Sequence, residues 1–141
     1  MAATIKKITL WRVEVQDRPG ALAEVLEPLA AAKGDLQAVM GYRLPGDHTR
    51  AAIEVWPVSG KKLTQAAEGA GMAPARIPAL LVSGPNKGGV AHKTARAVAD
   101  AGVNMTFLLA QVVGTRYSAV LGFASEDDCA RAAKVVGAAL R

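Results

Sequence analysis

The sequence contains a single cysteine, Cys129, in 141 residues. An internal disulfide is therefore excluded. The two histidines, His48 and His92, lie far apart in the chain, so a zinc site with several protein ligands is not expected. These scarcities favour a protein of the reducing cytoplasm that holds no metal and no cofactor.

Long apolar runs are also missing. The longest uncharged stretch, residues 103–115, has thirteen residues, whereas a membrane-spanning helix needs about 20. Residues 1–7 carry their charges after small residues and lead into no apolar segment of the secretory type. We therefore expect a cytoplasmic protein with no membrane partner.

Aromatic residues make up only 4% of the chain, although hydrophobic residues reach 51%. The net charge of +5 makes nucleic acid a candidate partner. However, the sequence has no block of five like charges and no aromatic-rich strand on which bases could stack. Trp11 and Trp56 are expected to pack in a core or an interface. We expect no nucleic-acid partner.

The chain contains two copies of one pattern. A shift of 69 residues places 17–20 on 86–89 and Asp35 on Asn104. Later positions align at a shift of 66, for example Ser59 with Ser125. We attribute the lost three residues to a longer turn at 45–48, because insertions are best tolerated in turns.

Each copy predicts the order strand, helix, strand, strand, helix. The first copy gives a strand at 5–15, a helix at 20–32, strands at 36–44 and 49–56, and a helix at 59–69; the second gives a strand at 79–83, a helix at 90–101, strands at 103–113 and 116–123, and a helix at 126–140. Gly34 is expected to end the first helix. Ser125 is expected to cap the last one, with acidic residues at 126–128 in its first turn.

A ferredoxin-like βαββαβ unit needs one more strand than each copy supplies. We expect the segments 73–84 and 4–16 each to contain two strands, one that closes one unit and one that opens the other. The predicted fold is α+β: two ferredoxin-like units in tandem, 1–72 and 73–141, with antiparallel sheets, helices on one face, and closing strands shared between the units.

The repeated segments resemble the ACT domain family, whose signature is D-x-P-G-x-L after the first strand and a G-x-N-[IL] step into the second. The first copy has Asp17-Arg18-Pro19-Gly20-Ala21-Leu22 and then Gly34-Asp35-Leu36. The second copy has Asn86-Lys87-Gly88-Gly89-Val90 and then Gly102-Val103-Asn104-Met105. The first copy departs from the signature at Asp35, and the second departs at Gly88.

The resemblance implies a regulatory sensor that binds a small ligand, usually an amino acid, at the seam between paired units. The helix that follows Gly20 or Gly89 could offer backbone N–H groups to a carboxylate. Asp17 or Asn86 could hold the ammonium group. The candidate ligand-binding residues are Asp17, Arg18, Pro19, Gly20, Ala21, Leu22, Asp35, Asn86, Lys87, Gly88, Gly89, Val90, Asn104 and Met105.

No arrangement of residues indicates catalysis, so the sequence predicts a protein that is not an enzyme. We expect a stand-alone regulator that modulates an enzyme or a transporter. Uncovered strand edges and helices with apolar residues on several faces predict a homodimer. The alternative is a ferredoxin-like module that binds nucleic acid or only other proteins.

Overall fold

The computed structural model describes residues 3–141. It contains two four-stranded antiparallel sheets and, within those residues, four helices. The elements are β1 (Thr4–Ile8), β2 (Trp11–Gln16), α1 (Ala21–Ala31), β3 (Ala38–Leu44), β4 (Asp47–Trp56), α2 (Lys61–Gly69), β5 (Ala73–Pro74), β6 (Ala79–Pro85), α3 (Val90–Asp100), β7 (Met105–Val113), β8 (Arg116–Phe123) and α4 (Glu126–Ala139).

The chain divides into two compact units. The N unit is Thr9–Ala75, and the C unit combines the residues up to Ile8 with Arg76–Arg141. The strand order is β3-β4-β2-β5 in the N unit and β1-β6-β8-β7 in the C unit. The expected α+β fold of two ferredoxin-like units is confirmed.

The shared closing strands are confirmed by the pairing. β1 pairs antiparallel with β6, from Thr4 opposite Ser83 to Ile8 opposite Ala79. β5 pairs with β2, but only at two positions. Each sheet is thus closed by a strand that the chain supplies from beyond the unit's repeated segment.

The core of the C unit lies between its helices and one face of its sheet. Side chains on one face of a strand alternate with those on the other, and the residues of β8 that face the core occur at every second position, from Tyr117 to Phe123. α4 contributes Cys129, Ala132 and Val136, all fully buried. Cys129 therefore packs as a small apolar residue.

The core of the N unit is built in the same way. Val25 and Leu29 of α1 pack with Ile53 and Val55 of β4. Trp11 packs against this cluster with part of its surface exposed, which agrees with a packing role. The N unit therefore also keeps its helices on one side of its sheet.

The first helix ends in a way the sequence did not predict. The residue in the left-handed conformation is Lys33, with φ 64°, and not Gly34. Gly34 has a different role, because a Cβ there would lie 2.8 Å from a methyl carbon of Leu63. The repeat places Gly102 at the position of Lys33, and Gly102 has φ 73°.

The prediction of a longer turn at 45–48 is wrong. Leu44 pairs with Asp47, so the turn itself is only Pro45-Gly46. The preceding pair is Arg43 with Ala51, which leaves residues 48–50 of β4 without a partner on β3. The insertion is therefore a bulge in a strand. The Asp47 side chain accepts hydrogen bonds from the backbone N–H and the hydroxyl of Thr49, at 3.0 and 2.6 Å.

The last helix begins as predicted. The Ser125 hydroxyl accepts a hydrogen bond from the backbone N–H of Asp128 at 3.1 Å, and three acidic residues occupy the first turn. In the part of the chain that the structure describes, no helix is both long and apolar enough to cross a bilayer.

Candidate functional site

Both repeated loops deliver a glycine to the start of a helix. Gly20 and Gly89 are the N-caps of α1 and α3, each with φ 89°, and neither helix has a side-chain cap. A residue with a Cβ rarely adopts this left-handed conformation. In α3, Val90 N–H donates to the Lys87 carbonyl and Lys93 N–H to the Gly89 carbonyl. The N–H groups of Ala91 and His92 lie between these two and have no acceptor within the helix.

The loop of the C unit forms one wall of a cavity of about 370 Å³, which we call cavity A. The start of α3 forms the adjoining wall, and β7 and β8 form the floor. Cavity A is lined by Asn86, Lys87, Gly88, Gly89, Val90, Ala91, Thr94, Leu108, Ala110, Gln111, Val112, Tyr117 and Ala119.

The lining of cavity A is mostly apolar, and its one charged side chain is Lys87. The Thr94 hydroxyl is already used, since it donates to the Val90 carbonyl at 2.9 Å. The side chains of Asn86 and Lys87 have no hydrogen-bond or ionic partner among residues 3–141. They are therefore available to a ligand.

Tyr117 is the large polar-ended side chain of this cavity. It is only 7% exposed, and its hydroxyl has no hydrogen-bond partner in the described chain. Burial raises the pKa of the phenol above its usual range. The hydroxyl oxygen itself is not sealed from solvent, so it can donate a hydrogen bond to a ligand that enters the cavity.

A smaller recess of about 50 Å³ adjoins cavity A, and we call it the cationic recess. Its charged side chains are Lys87, Lys93 and Arg141. No aspartate or glutamate side chain lines cavity A or the recess. Lys87 and Tyr117 are the two polar-ended side chains that line both spaces.

The corresponding space of the N unit, cavity B, also measures about 370 Å³. Its lining includes Asp17, Arg18 and Arg43. Arg43 donates to the Asp17 carboxylate, Nε to Oδ2, at 2.7 Å. Arg18 donates to Glu24 and holds the pKa of that carboxyl below its usual range.

The two cavities share a frame but differ in chemistry. The repeat places Asn86 at the position of Asp17, and Val112 at the position of Arg43. Cavity B therefore contains an ion pair between its loop and its strand, where cavity A contains an unpartnered amide and an apolar side chain. An anion or an apolar group suits cavity A better than a cation.

The structure brings together many of the residues that the sequence singled out, but not all. The five from the second loop, Asn86 to Val90, line cavity A, and four from the first line cavity B: Asp17, Arg18, Ala21 and Leu22. Pro19 and Gly20 shape the turn without lining cavity B. Asp35, Asn104 and Met105 lie at the opposite ends of α1 and α3. Asp35 lines a separate surface cavity with Lys33, Lys61 and Lys62.

Sequence reasoning missed the floor and the back wall of cavity A: Leu108, Ala110, Val112, Tyr117 and Ala119. The alternation of residues along β8 gives a usable signal, because it places Tyr117 and Ala119 on one face of the sheet.

No arrangement typical of catalysis or metal binding accompanies these cavities. No group of three or more metal-ligating side chains occurs in residues 3–141. Arg96 and Asp100 form the exposed ion pair on α3 that their spacing predicts, at 3.4 Å.

Comparison with known proteins finds similarity of fold. No protein-family model matches the chain, and no curated protein matches it. A solved protein from Bacteroides thetaiotaomicron is 19% identical over 94% of this chain and 88% of its own, with a TM-score of 0.73. The ligand-free regulatory subunit of aspartate kinase from Thermus thermophilus is 18% identical over 100% of this chain and 98% of its own, with a TM-score of 0.64.

A third structure is a putative C-terminal regulatory domain of aspartate kinase from Porphyromonas gingivalis. It is 10% identical over 99% of this chain and 96% of its own, with a TM-score of 0.59. At these identities the comparison shows similarity of fold alone. The chain has the fold of two ACT-like units in tandem.

Proposed function

We propose that this protein is a regulatory sensor that binds an amino acid in cavity A and modulates a partner protein. The observation that carries the proposal is cavity A itself, an apolar space whose rim bears unpartnered polar groups. Spaces of this size and composition are typical of small-molecule sites. The protein would act through binding and not through catalysis.

The solved structures with this fold support a regulatory role. Two of them are described as regulatory parts of aspartate kinase. A shared fold does not establish a shared function, so the proposal of a ligand rests on the shape and the lining of cavity A. The regulated partner would be an enzyme or a transporter.

The binding mode follows from the groups at cavity A. The carboxylate of an amino acid would approach the start of α3, where the N–H groups of Ala91 and His92 lack acceptors and the helix end is positive. The Asn86 amide can donate and accept hydrogen bonds. The ligand side chain would contact Leu108 and Val112 on the floor.

The remaining residues predicted from the resemblance stay part of this proposal. Asp17, Arg18, Ala21 and Leu22 would form the equivalent site in cavity B. Asp35, Asn104 and Met105 lie at the far ends of α1 and α3 from the glycine loops, so they cannot contact a ligand bound at the loop of their own unit. They would contact a ligand only if a paired copy of the chain held it near them.

We further propose a homodimer formed through β7. β7 is an edge strand of its sheet, and the apolar side chains on it are exposed by 47% at Leu108, 45% at Leu109, 54% at Val112 and 70% at Val113. An uncharged, apolar edge strand readily pairs with another strand. Since Leu108 and Val112 also line cavity A, a second copy seated there would cover the ligand.

The dimer is tested by light scattering at micromolar concentration. The unmodified chain should have about twice its monomer mass of 14.6 kDa, and Leu109→Lys should lower the mass to that of the monomer. A monomer that persists for the unmodified chain at all concentrations would contradict the dimer.

Ligand binding is tested by a thermal-shift screen of the twenty amino acids. A ligand at a hundred times its Kd stabilises the native state by about 2.7 kcal/mol. We expect at least one amino acid to raise the melting temperature. Ala110→Leu should remove that rise by filling cavity A, whereas Ala99→Leu, an exposed position on α3 outside the cavity, should retain it. No response to any amino acid would refute the proposal.

A further inference from the structure

We infer that cavity A recognises the carboxylate and an apolar side chain of its ligand and makes no ionic contact with an ammonium group. The ligand class is an apolar monocarboxylate, whether or not it carries an amino group. This inference rests on the proposed function, because it specifies which part of an amino acid the site binds.

The charges around the site support an anion. Cavity A and the cationic recess together present the side chains of Lys87, Lys93 and Arg141, and no aspartate or glutamate side chain lines either space. An ammonium group placed here would face like charges without a carboxylate partner. A carboxylate would meet no aspartate or glutamate side chain in either space.

Tyr117 supplies the second, independent observation. The residue is only 7% exposed and lines both spaces. Its hydroxyl is open to solvent and has no hydrogen-bond partner among the described residues. Lys87 lines the same two spaces and is also unpartnered. The carboxylate would therefore lie where the start of α3 meets the junction of cavity A and the recess, with Lys87 and Tyr117 as side-chain donors beside the backbone N–H groups of the helix.

In cavity B, a cationic group is bound by an acidic side chain of the loop. Its loop carries Asp17, and that carboxylate binds the guanidinium of Arg43. Asn86 replaces this acid in cavity A, and an amide forms a weaker hydrogen bond to an ammonium group than a carboxylate does. The C unit thus has no acidic side chain at the position that Asp17 occupies in the N unit.

The floor of cavity A selects the rest of the ligand. Leu108 and Val112 line the floor together with alanines, and Val90 lines the adjoining wall. A branched aliphatic side chain contacts such a surface without leaving a polar group unsatisfied. Charged or strongly polar side chains would lose their hydration there.

The test compares three probes by calorimetry at pH 6.5, where an α-amine remains protonated. Leucine has both charged groups, 4-methylpentanoate lacks the amine, and leucinamide lacks the carboxylate charge. We expect 4-methylpentanoate to bind within about threefold of leucine or more tightly, and leucinamide to bind at least about tenfold more weakly.

Three variants of the full chain locate the effect. Tyr117→Phe and Lys87→Gln should each weaken binding of 4-methylpentanoate, by about tenfold and about fivefold, respectively. Lys134→Gln, which removes an equal charge from an exposed position of α4 outside both spaces, should change nothing. Because the Tyr117 hydroxyl has no partner within residues 3–141, the Tyr117→Phe variant should keep the melting temperature of the unmodified chain when no ligand is present.

Three results would overturn the inference. Leucinamide that binds as tightly as leucine, or 4-methylpentanoate that binds more than tenfold more weakly, would show that the ammonium group is recognised. If none of the three probes binds, the apolar-carboxylate class is wrong. The screen of twenty amino acids then decides separately whether the proposed function survives.

Discussion

Removing the hydroxyl of Tyr42 should destabilise the protein, whereas removing that of Tyr117 should leave the free energy of unfolding nearly unchanged. Tyr42 donates to Oε2 of Glu54 at 2.7 Å, and Glu54 is fully buried. The other carboxylate oxygen of Glu54 has no partner in the part of the chain that the structure describes. Tyr117 is less exposed than Tyr42 as a residue, but its hydroxyl has no partner among residues 3–141. Replacement by phenylalanine keeps the ring and removes only the hydroxyl.

The expected change in the free energy of unfolding depends on whether the removed hydroxyl was bonded to a buried group. Tyr42→Phe deprives a buried carboxylate of its hydrogen-bond donor, and Tyr42 is 40% exposed, so water compensates in part. We expect a loss of about 1–2 kcal/mol in the free energy of unfolding. Tyr117→Phe breaks no hydrogen bond, and we expect a change within about 0.5 kcal/mol, or a gain.

Urea unfolding monitored by circular dichroism measures both values, with the melting temperature as a second readout. For a chain of this length, 1 kcal/mol corresponds to roughly 3 °C. Equal losses in the two variants would refute the reasoning, because they would mean that the Tyr117 hydroxyl has a partner in the free protein. An unchanged m-value is required for the comparison to report on stability.

The other predictions concern helix ends and pH. Lys33→Gly should stabilise the protein by about 0.5 kcal/mol, since it relieves a left-handed lysine at some cost in unfolded-state entropy, and Gly102→Ala should cost about 1 kcal/mol; urea unfolding measures both. Ser125→Ala should cost about 1 kcal/mol by the same measurement. Burial raises the pKa of Tyr42 and Tyr117, so their contribution to stability should be complete below about pH 10 and fall as pH rises through the folded-state values. Absorbance titration at 295 nm should show ionisation above the normal range, and titration near pH 10 in the folded protein would contradict the burial of these phenols.

The repeat in the sequence predicted the most about the fold. Two copies, each one strand short of a ferredoxin-like unit, left the segments at 4–16 and 73–84 as the only sources of the missing strands. Hydrogen-bonding demand in a sheet then determined their pairing. The repeat also places a glycine before each of α1 and α3, so these glycines could be assigned to helix starts from the sequence alone.

Other features depend on contacts that a sequence does not display. Gly34 was expected to end α1, but close packing against Leu63 uses that glycine and leaves Lys33 in the left-handed position. The insertion near residue 48 became a bulge because Leu44 and Asp47 close a tight turn. The importance of Tyr117 became visible only with the cavity, since a tyrosine in a strand is otherwise an ordinary core residue.

The central claim is that an amino acid or related carboxylate binds at the start of α3. Backbone amide NMR during titration with the best ligand of the screen tests it most directly. We expect the largest shifts at the N–H groups of Gly89, Ala91 and His92, with Tyr117 nearby also shifted. Saturating shifts confined to residues outside cavity A, or no shifts at all, would contradict it.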